Sequence, residues 1–576
     1  MTESNRMLTS LVQLHSALQE ATLPLDLPGV DAHRESRTEM VDQLEDYMIP
    51  RLTTIDAPML AVVGGSTGAG KSTLVNTMVG SPVTQSGLLR PTTMSPVLVH
   101  HPDDARWFGQ DRILPDLARV KVPTIDPRSL QLVASANVPR GLAILDAPDV
   151  DSVEEANRTL AAQLLAAADL WLFVTSAARY ADQVPWDFLK QAADRGTAVA
   201  IVLDRTPQEA VDPVATHLAR MLASRGLKDS PLFIVKESPV DDNGLLPPVN
   251  VADIRGWLQS LAADSEARDA VVRQTLSGAI RSVSGRAYTI ADAAAEQADA
   301  VNGLRDDVAA AYDRARADVH TATADGTLMR GEVLARWQEF VGTGELLRSL
   351  ETQVGRIRDR LVNAIKGKPQ QADRVQVAVE SGLEKLLLEH AEKAAEKAAA
   401  SWRSTAQGKA LIASSEADVT RASREFRRQA EQAVREWQQG VLAMVRAEGA
   451  DKRTSARFMA FGVNGLAVAL MMVVFVHTGG VTGAEAGVAG GSAVLGQKLL
   501  EAVFGDQAVR SLAARAREDL DRRTSVLLSA EQDRFVRLVD ALGVNDEASG
   551  RLRQAARRVT DERFAQQQHA PGDHSA

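Results

Sequence analysis

At 576 residues the chain is too long to enclose one hydrophobic core, so two or more domains are expected. A net charge of −10 with 4% aromatic residues argues against a nucleic-acid binder, which normally carries a basic face. No cysteine is present, which excludes disulfides and thiolate metal sites, and the ten histidines show no HExxH or clustered ligand spacing.

Taken in chain order, Met1–Thr9 is polar and lacks the apolar core of a signal peptide. Met7–Leu23 and about Glu35–Thr54 read as two amphipathic helices separated by Leu-Pro-Leu-Asp-Leu-Pro. This N-terminal segment, 1–56, is expected to pack on the later helices. From 57 to 263 short apolar runs alternate with helical stretches: Leu60–Val63, Val97–His100, Leu142–Leu145, Leu170–Val174, Ala198–Leu203 and Leu232–Val235. Such alternation predicts a mainly parallel sheet with helices on both faces, with ligands bound beyond the carboxyl ends of the strands.

The first of these runs carries the strongest chemical signal. It enters Gly65-Ser66-Thr67-Gly68-Ala69-Gly70-Lys71-Ser72-Thr73, and a helical pattern follows. This is G-x-x-x-x-G-K-[ST] in the strand–loop–helix setting that the motif demands. Glycines let successive backbone N–H groups curl around phosphate oxygens, and the helix presents its positive end to the same anion. Lys71 reaches the β- and γ-phosphates, while the Ser72 hydroxyl is a hard oxygen ligand for Mg²⁺. No protein metal site is expected beyond that nucleotide-bound Mg²⁺.

Proline marks the main boundary. Twenty of the twenty-two prolines lie in residues 1–248, and residues 249–570 hold only Pro369, so the second half is free to be helical. A stalk over 264–455 is expected from stripes such as Val272, Leu276, Ile280, Val283, Ala287, Ile290 and Ala294, and from Leu347 to Ile365. These stripes suit a bundle packing on itself or an intermolecular coiled coil. Within 456–500, Phe458–Val476 runs nineteen residues without a charge and is long enough to cross a bilayer. Gly479-Gly480 then turns the chain, and Val481–Leu495 is rich in small residues, with Gly483, Gly487 and Gly491 four apart. Lys and Arg flank this segment on both sides, so a membrane hairpin with both termini cytoplasmic is expected. Glu485 is costly in lipid, and a buried core hairpin is the competing reading. Residues 501–576 read as returning helices and a disordered tail.

These features together resemble a bacterial dynamin-like GTPase of actinobacterial type. The resemblance rests on GGSTGAGKSTLVNTMVG, on Arg90-Pro91-Thr92-Thr93, on Asp146-Ala147-Pro148-Asp149 with the Val-Asp-Ser-Val after it, and on a long helical region broken by an apolar hairpin. It implies an α/β P-loop GTPase domain plus a helical stalk with a membrane hairpin, binding GTP ahead of ATP, with Mg²⁺. Thr92 and Thr93 would be the switch pair, with Thr93 completing the metal shell beside Ser72 and Asp146, the last as a Walker-B-type carboxylate. It further implies hydrolysis coupled to self-association, or pairing with a paralogue, and to remodelling of membrane lipid at the cell membrane, with bacterial division as one setting. Three departures stand out. Asp149 replaces the glycine of the family's DxPG turn, where a backbone N–H would meet the γ-phosphate. Asp204 and Arg205 imitate the start of the base-reading [NT]KxD motif, but its guanine-selecting Asp is Pro207. Gly68 replaces a polar residue, for which Ser66 or Thr67 is the available substitute. The altered segments at Asp149 and Pro207 favour, as the alternative expectation, a nucleotide-binding membrane scaffold with weak or no hydrolysis. A transporter ATPase is disfavoured, because no LSGGQ-like segment is present.

Overall fold

The computed structural model describes residues 3–85, 95–329, 331–341, 369–450, 456–475 and 489–569, apart from positions 111, 125 and 153. The chain forms two compact units. One comprises Met1–Leu23, Pro28–Ala298 and Asn545–Ala576, the other Pro24–Leu27 and Asp299–Val544.

The first unit is built on a sheet of eight described strands: β1 (Met59–Gly65), β2 (Val97–His100), β3 (Ala118–Val120), β4 (Ser129–Ala134), β5 (Leu142–Asp146), β6 (Leu170–Ser176), β7 (Ala198–Thr206) and β8 (Leu232–Lys236). Their order is β3-β4-β2-β5-β1-β6-β7-β8. All pairs are parallel except β2 with β5. β1, β5 and β6 are buried at every position, which is why they read as unbroken apolar runs rather than alternating ones. After β1 the chain builds β2 to β5 on one side, then crosses to β6 on the other. The carboxyl end of β1 is therefore a topological switch point. Register lines up the chemistry there: Val63 pairs with Asp146, Gly65 with Val174, and Ser176 with Asp204.

At the opposite end of the sheet the helices α1 (Glu3–Glu20), α2 (Val30–Gln43) and α3 (Ile49–Thr53) are tied in through one buried carboxylate. Asp169 forms an ion pair with Arg51 at 3.0 Å and accepts hydrogen bonds from the Tyr47 hydroxyl at 3.0 Å and the Leu60 N–H at 2.8 Å. Its carbonyl accepts from the Thr275 hydroxyl. Helix α1 also lies along the last helix, Ala548–His569, with Arg551 pairing to Glu20 at 3.1 Å and Arg558 donating to Gln13 at 2.7 Å. The stripe from Val272 to Ala294 is buried inside this same unit, so its apolar spacing serves packing within the chain. The stripe from Leu347 to Ile365 lies outside the described residues.

The second unit is helical, with a core around Tyr312, Trp337, Trp402, Trp437, Phe475 and Phe535. Indole N–H groups that would be orphaned there find carbonyls: Trp402 donates to Leu304 at 3.0 Å and Trp437 to Ala516 at 2.8 Å. Here the expected membrane hairpin is corrected. The run Leu466–Phe475 belongs to the helix Ala456–Phe475 and is buried throughout, packed in one core with Trp437, Val441, Leu500, Phe504 and Leu512. Gly462 breaks the helical backbone at its N-terminal end, and Arg517 donates to the Val474 carbonyl at the other. Among the described residues, no helix is long and apolar enough to cross a membrane. The physical reason is that an all-round apolar helix suits a protein core as well as lipid, and this unit supplies the enclosing surface itself. The connecting turn at Gly479-Gly480, and Glu485 beyond it, lie outside the described residues.

Candidate nucleotide site

The loop between β1 and the helix α4 (Lys71–Val79) is shaped by positions that only glycine fills. Gly65 has φ +147°, and a Cβ there would lie 1.9 Å from the Val174 carbonyl oxygen. Gly70 has φ +100°, and its Cβ would meet the Asp204 carboxylate at 2.1 Å. The loop is thus pressed between β6 and the end of β7, and it leads into the N-terminus of α4, where an anion is favoured.

Lys71 is buried, and its ammonium donates to the carbonyls of Gly65 at 3.0 Å and Ser66 at 3.1 Å. It also pairs closely with Asp149. The Ser72 hydroxyl donates to Asp146 Oδ2 at 2.7 Å. Burial pushes the Asp146 carboxyl up to about 6, against the pull of the Ser72 hydroxyl and the Lys71 charge. Asp146 Oδ1 is buried and has no hydrogen-bond partner. A hydroxyl and a half-satisfied carboxylate on one side of a phosphate cradle are the donor set Mg²⁺ prefers, so these residues fit the ion. No group of three or more His, Asp or Glu among the described residues is arranged to hold a metal unaided.

A second layer was not expected from the sequence. Asp151 accepts from the Thr67 N–H at 2.5 Å and from its hydroxyl at 2.7 Å. Arg179, just beyond β6, pairs with Asp151 at 2.9 Å and with Asp182 at 2.9 Å, and donates to the Thr67 carbonyl at 2.9 Å. The Thr67 side chain is therefore committed to Asp151, while the Ser66 hydroxyl is buried with no partner. Buried Asn76 holds the chain at Thr84, accepting from its N–H at 2.9 Å and donating to its carbonyl at 2.9 Å. Thr92 and Thr93, a few residues later, lie outside the described residues.

Asp204 and Arg205 come to the same loop from β7. Burial raises the Asp204 carboxyl to about 6, opposed by the Arg205 N–H, which donates to it at 2.7 Å, and by the Arg205 charge. Beside them a cavity of about 320 Å³ opens between Gly70 and Thr73 on one side and Lys236, Glu237 and Val240 on the other. The structure thus gathers Gly65 to Thr73, Asp146, Asp149, Asp204 and Arg205 at the carboxyl ends of the central strands. Of the unforeseen residues, Asp151, Arg179 and Asp182 share one legible trait: each lies just beyond the carboxyl end of a parallel strand.

No family model matches the chain, and no curated protein does. Solved structures give loose, near-full-length likenesses. Two of an oligomerised bacterial dynamin pair, described as a mechanism for long-range sensing and tethering of membranes, share 11% and 10% identity at TM-scores of 0.36 and 0.35. They cover 96% and 92% of this chain and 98% and 94% of their own. LeoA, a bacterial dynamin GTPase from ETEC, shares 12% identity at a TM-score of 0.24, covering 98% of this chain and 97% of its own.

Proposed function

We propose that the chain is a Mg²⁺-dependent nucleoside triphosphatase of dynamin-like type, acting on GTP and coupling the nucleotide cycle to self-association at a membrane surface. The observation that carries the nucleotide part is the Ser72–Asp146 contact at 2.7 Å at the head of a glycine-shaped loop that also holds Lys71. In this reading the loop N–H groups bind the phosphates and Lys71 bridges the two terminal ones. Ser72 and Asp146 would hold Mg²⁺, which supplies charge neutralisation between those phosphates. Asp151 and Arg179 fix the loop carbonyl at Thr67, so the cradle keeps its curvature while its charge changes.

Membrane contact, oligomer formation and a location at the cell membrane with cytoplasmic termini come from the resemblance in sequence. Since Leu466–Phe475 are core residues, lipid contact is assigned to no described helix. A nucleotide-binding scaffold with slow hydrolysis is the second reading, favoured by one observation: Asp149 occupies Lys71.

The test is GTP and ATP binding and turnover by the purified chain, with and without lipid vesicles, beside Lys71→Ala. Loss of binding in Lys71→Ala supports the site, and unchanged affinity refutes it. Turnover that rises with vesicles and with protein concentration supports the mechanical reading. Binding with flat, negligible turnover supports the scaffold.

A further inference from the structure

We propose that Glu237, at the end of β8, is the residue that selects guanine, in place of the carboxylate lost at Pro207. The inference rests on the nucleotide site proposed above. The cavity begins at Gly70 and Thr73, so a triphosphate seated on the loop would have this space beside it for its nucleoside. About 320 Å³ lies at the small end of ligand pockets and suits one nucleoside. Val240 and Leu246 offer it apolar surface against which a flat ring can lie.

Two carboxylates line this cavity, Asp204 and Glu237. Asp204 is 3% exposed, accepts the Arg205 N–H and is packed against Gly70, so it is committed to shaping the loop. Glu237 is exposed at the mouth, on a backbone pinned from both sides. Its N–H donates to the Thr206 carbonyl at 3.0 Å. Asn250 donates to the Lys236 carbonyl at 3.1 Å and to the Ser238 hydroxyl at 2.8 Å. On the facing strand the register shifts between Leu203 and Thr206, and Arg205 takes φ +50°, a conformation rare for a side-chain-bearing residue and concentrated at functional sites.

The chemistry of the bases makes the choice. Guanine presents two adjacent donors, N1–H and the N2 amine, which one carboxylate accepts together. Adenine presents a lone pair at N1, which a carboxylate repels. Pairing a carboxylate carried on this held backbone with two donors gives discrimination of about ten-fold or more.

The experiment measures affinities of Mg²⁺–GDP, Mg²⁺–ADP and Mg²⁺–xanthosine diphosphate by competition with ribose-labelled fluorescent GDP, for the full chain and for Glu237→Gln and Glu237→Ala. The native chain should prefer GDP to ADP. Glu237→Gln should weaken GDP about ten-fold or more and strengthen xanthosine diphosphate, whose C2 carbonyl accepts from the new amide, with ADP unchanged. Glu237→Ala should lose GDP without gaining the xanthine nucleotide. Both side chains are exposed substitutions, so equal melting temperatures are expected. If both variants keep the native preference, or the native chain binds ADP as well as GDP, the role of Glu237 is overturned while the phosphate site stands. If the native chain binds none of the three, the nucleotide site itself is refuted along with it.

Discussion

The Lys71–Asp149 pair sets a testable cost on nucleotide binding. Lys71 is 5% exposed and Asp149 20% exposed, and the lysine's other acceptors are two backbone carbonyls. To bridge the terminal phosphates the ammonium must exchange Asp149 for phosphate oxygen, and the carboxylate left behind faces added negative charge. A charge-assisted hydrogen bond in such a site contributes about 1.5–3 kcal/mol, or about ten- to a hundred-fold in a binding constant. Asp149→Asn and Asp149→Gly should therefore raise triphosphate affinity by about that factor, and diphosphate affinity by less, since repulsion is strongest at the γ position. Without ligand the same variants should melt earlier, because the buried ammonium loses its counter-charge. Asp149→Gly should also hydrolyse faster, as the turn can then close on the γ-phosphate with its N–H. Fluorescent-nucleotide titrations, melting curves and steady-state turnover at matched salt and Mg²⁺ check all three. Unchanged or weakened triphosphate binding refutes the competition argument, and a large loss of turnover makes Asp149 a participant in the reaction.

Other outcomes follow from burial. Asp46 is buried with one oxygen unpartnered, the other accepting from Gln163 at 2.8 Å, and burial raises its carboxyl to about 6. The folded chain therefore holds a proton that the unfolded chain releases from about pH 4, so stability falls as pH rises through the window from about 4 to 6. Asp46→Asn should flatten that fall, with a gain of up to about 3 kcal/mol at pH 8 and none at pH 4, read by denaturant unfolding; a pH profile identical to the native chain's would count against it. Arg51→Met leaves the buried Asp169 without its cation and should cost about 3–5 kcal/mol, and a loss under 1 kcal/mol would contradict the buried-pair reading. Leu470→Asp puts a charge at a fully buried position, and should unfold or aggregate the helical unit at physiological temperature. If that variant instead stays folded and merely leaves vesicles, Leu470 faces lipid.

What the sequence could and could not disclose follows from which forces act locally. β1, β2 and β5 to β7 were legible because strands buried on both faces must be largely apolar, β8 because its Leu-Phe-Ile-Val run is apolar even at the sheet's edge, and the glycine-rich loop because its backbone geometry admits few residues. β4 (Ser129–Ala134) was missed because Gln131 is buried in it, interrupting the apolar run, and β3 because three residues at a sheet edge carry no pattern. Leu466–Phe475 misled for a different reason. Lipid and protein core ask the same of a helix, and the surfaces that cover this one, Trp437 and the helix Asp506–Asp540, are specified elsewhere in the chain. Asp149 was legible as a departure. That it turns to Lys71 rather than outward depends on the register of β1 with β5.

Four carboxylates surround the loop proposed to bind the phosphates, and each is balanced by a donor of its own. Ser72 serves Asp146, Lys71 serves Asp149, Thr67 and Arg179 serve Asp151, and the Arg205 N–H serves Asp204. These partners divide into two kinds. Asp151 and Asp204 bind groups that shape the loop: the Thr67 amide, and the β7 end against Gly70. A nucleotide can arrive without disturbing them. Asp146 and Asp149 instead hold the two side chains the motif reserves for metal and phosphate, so binding here is an exchange of partners rather than the filling of a waiting site. With Mg²⁺ held beside it, Asp146 would trade its Ser72 hydroxyl contact for the ion's charge, which would tie affinity to Mg²⁺ more steeply than in a loop with no internal carboxylates. Chelating Mg²⁺ should therefore weaken triphosphate binding in the native chain more than in Asp149→Asn, where no carboxylate competes with the phosphates for Lys71. Equal losses in the two proteins, measured by nucleotide titration with and without chelator, would show that the two exchanges are independent.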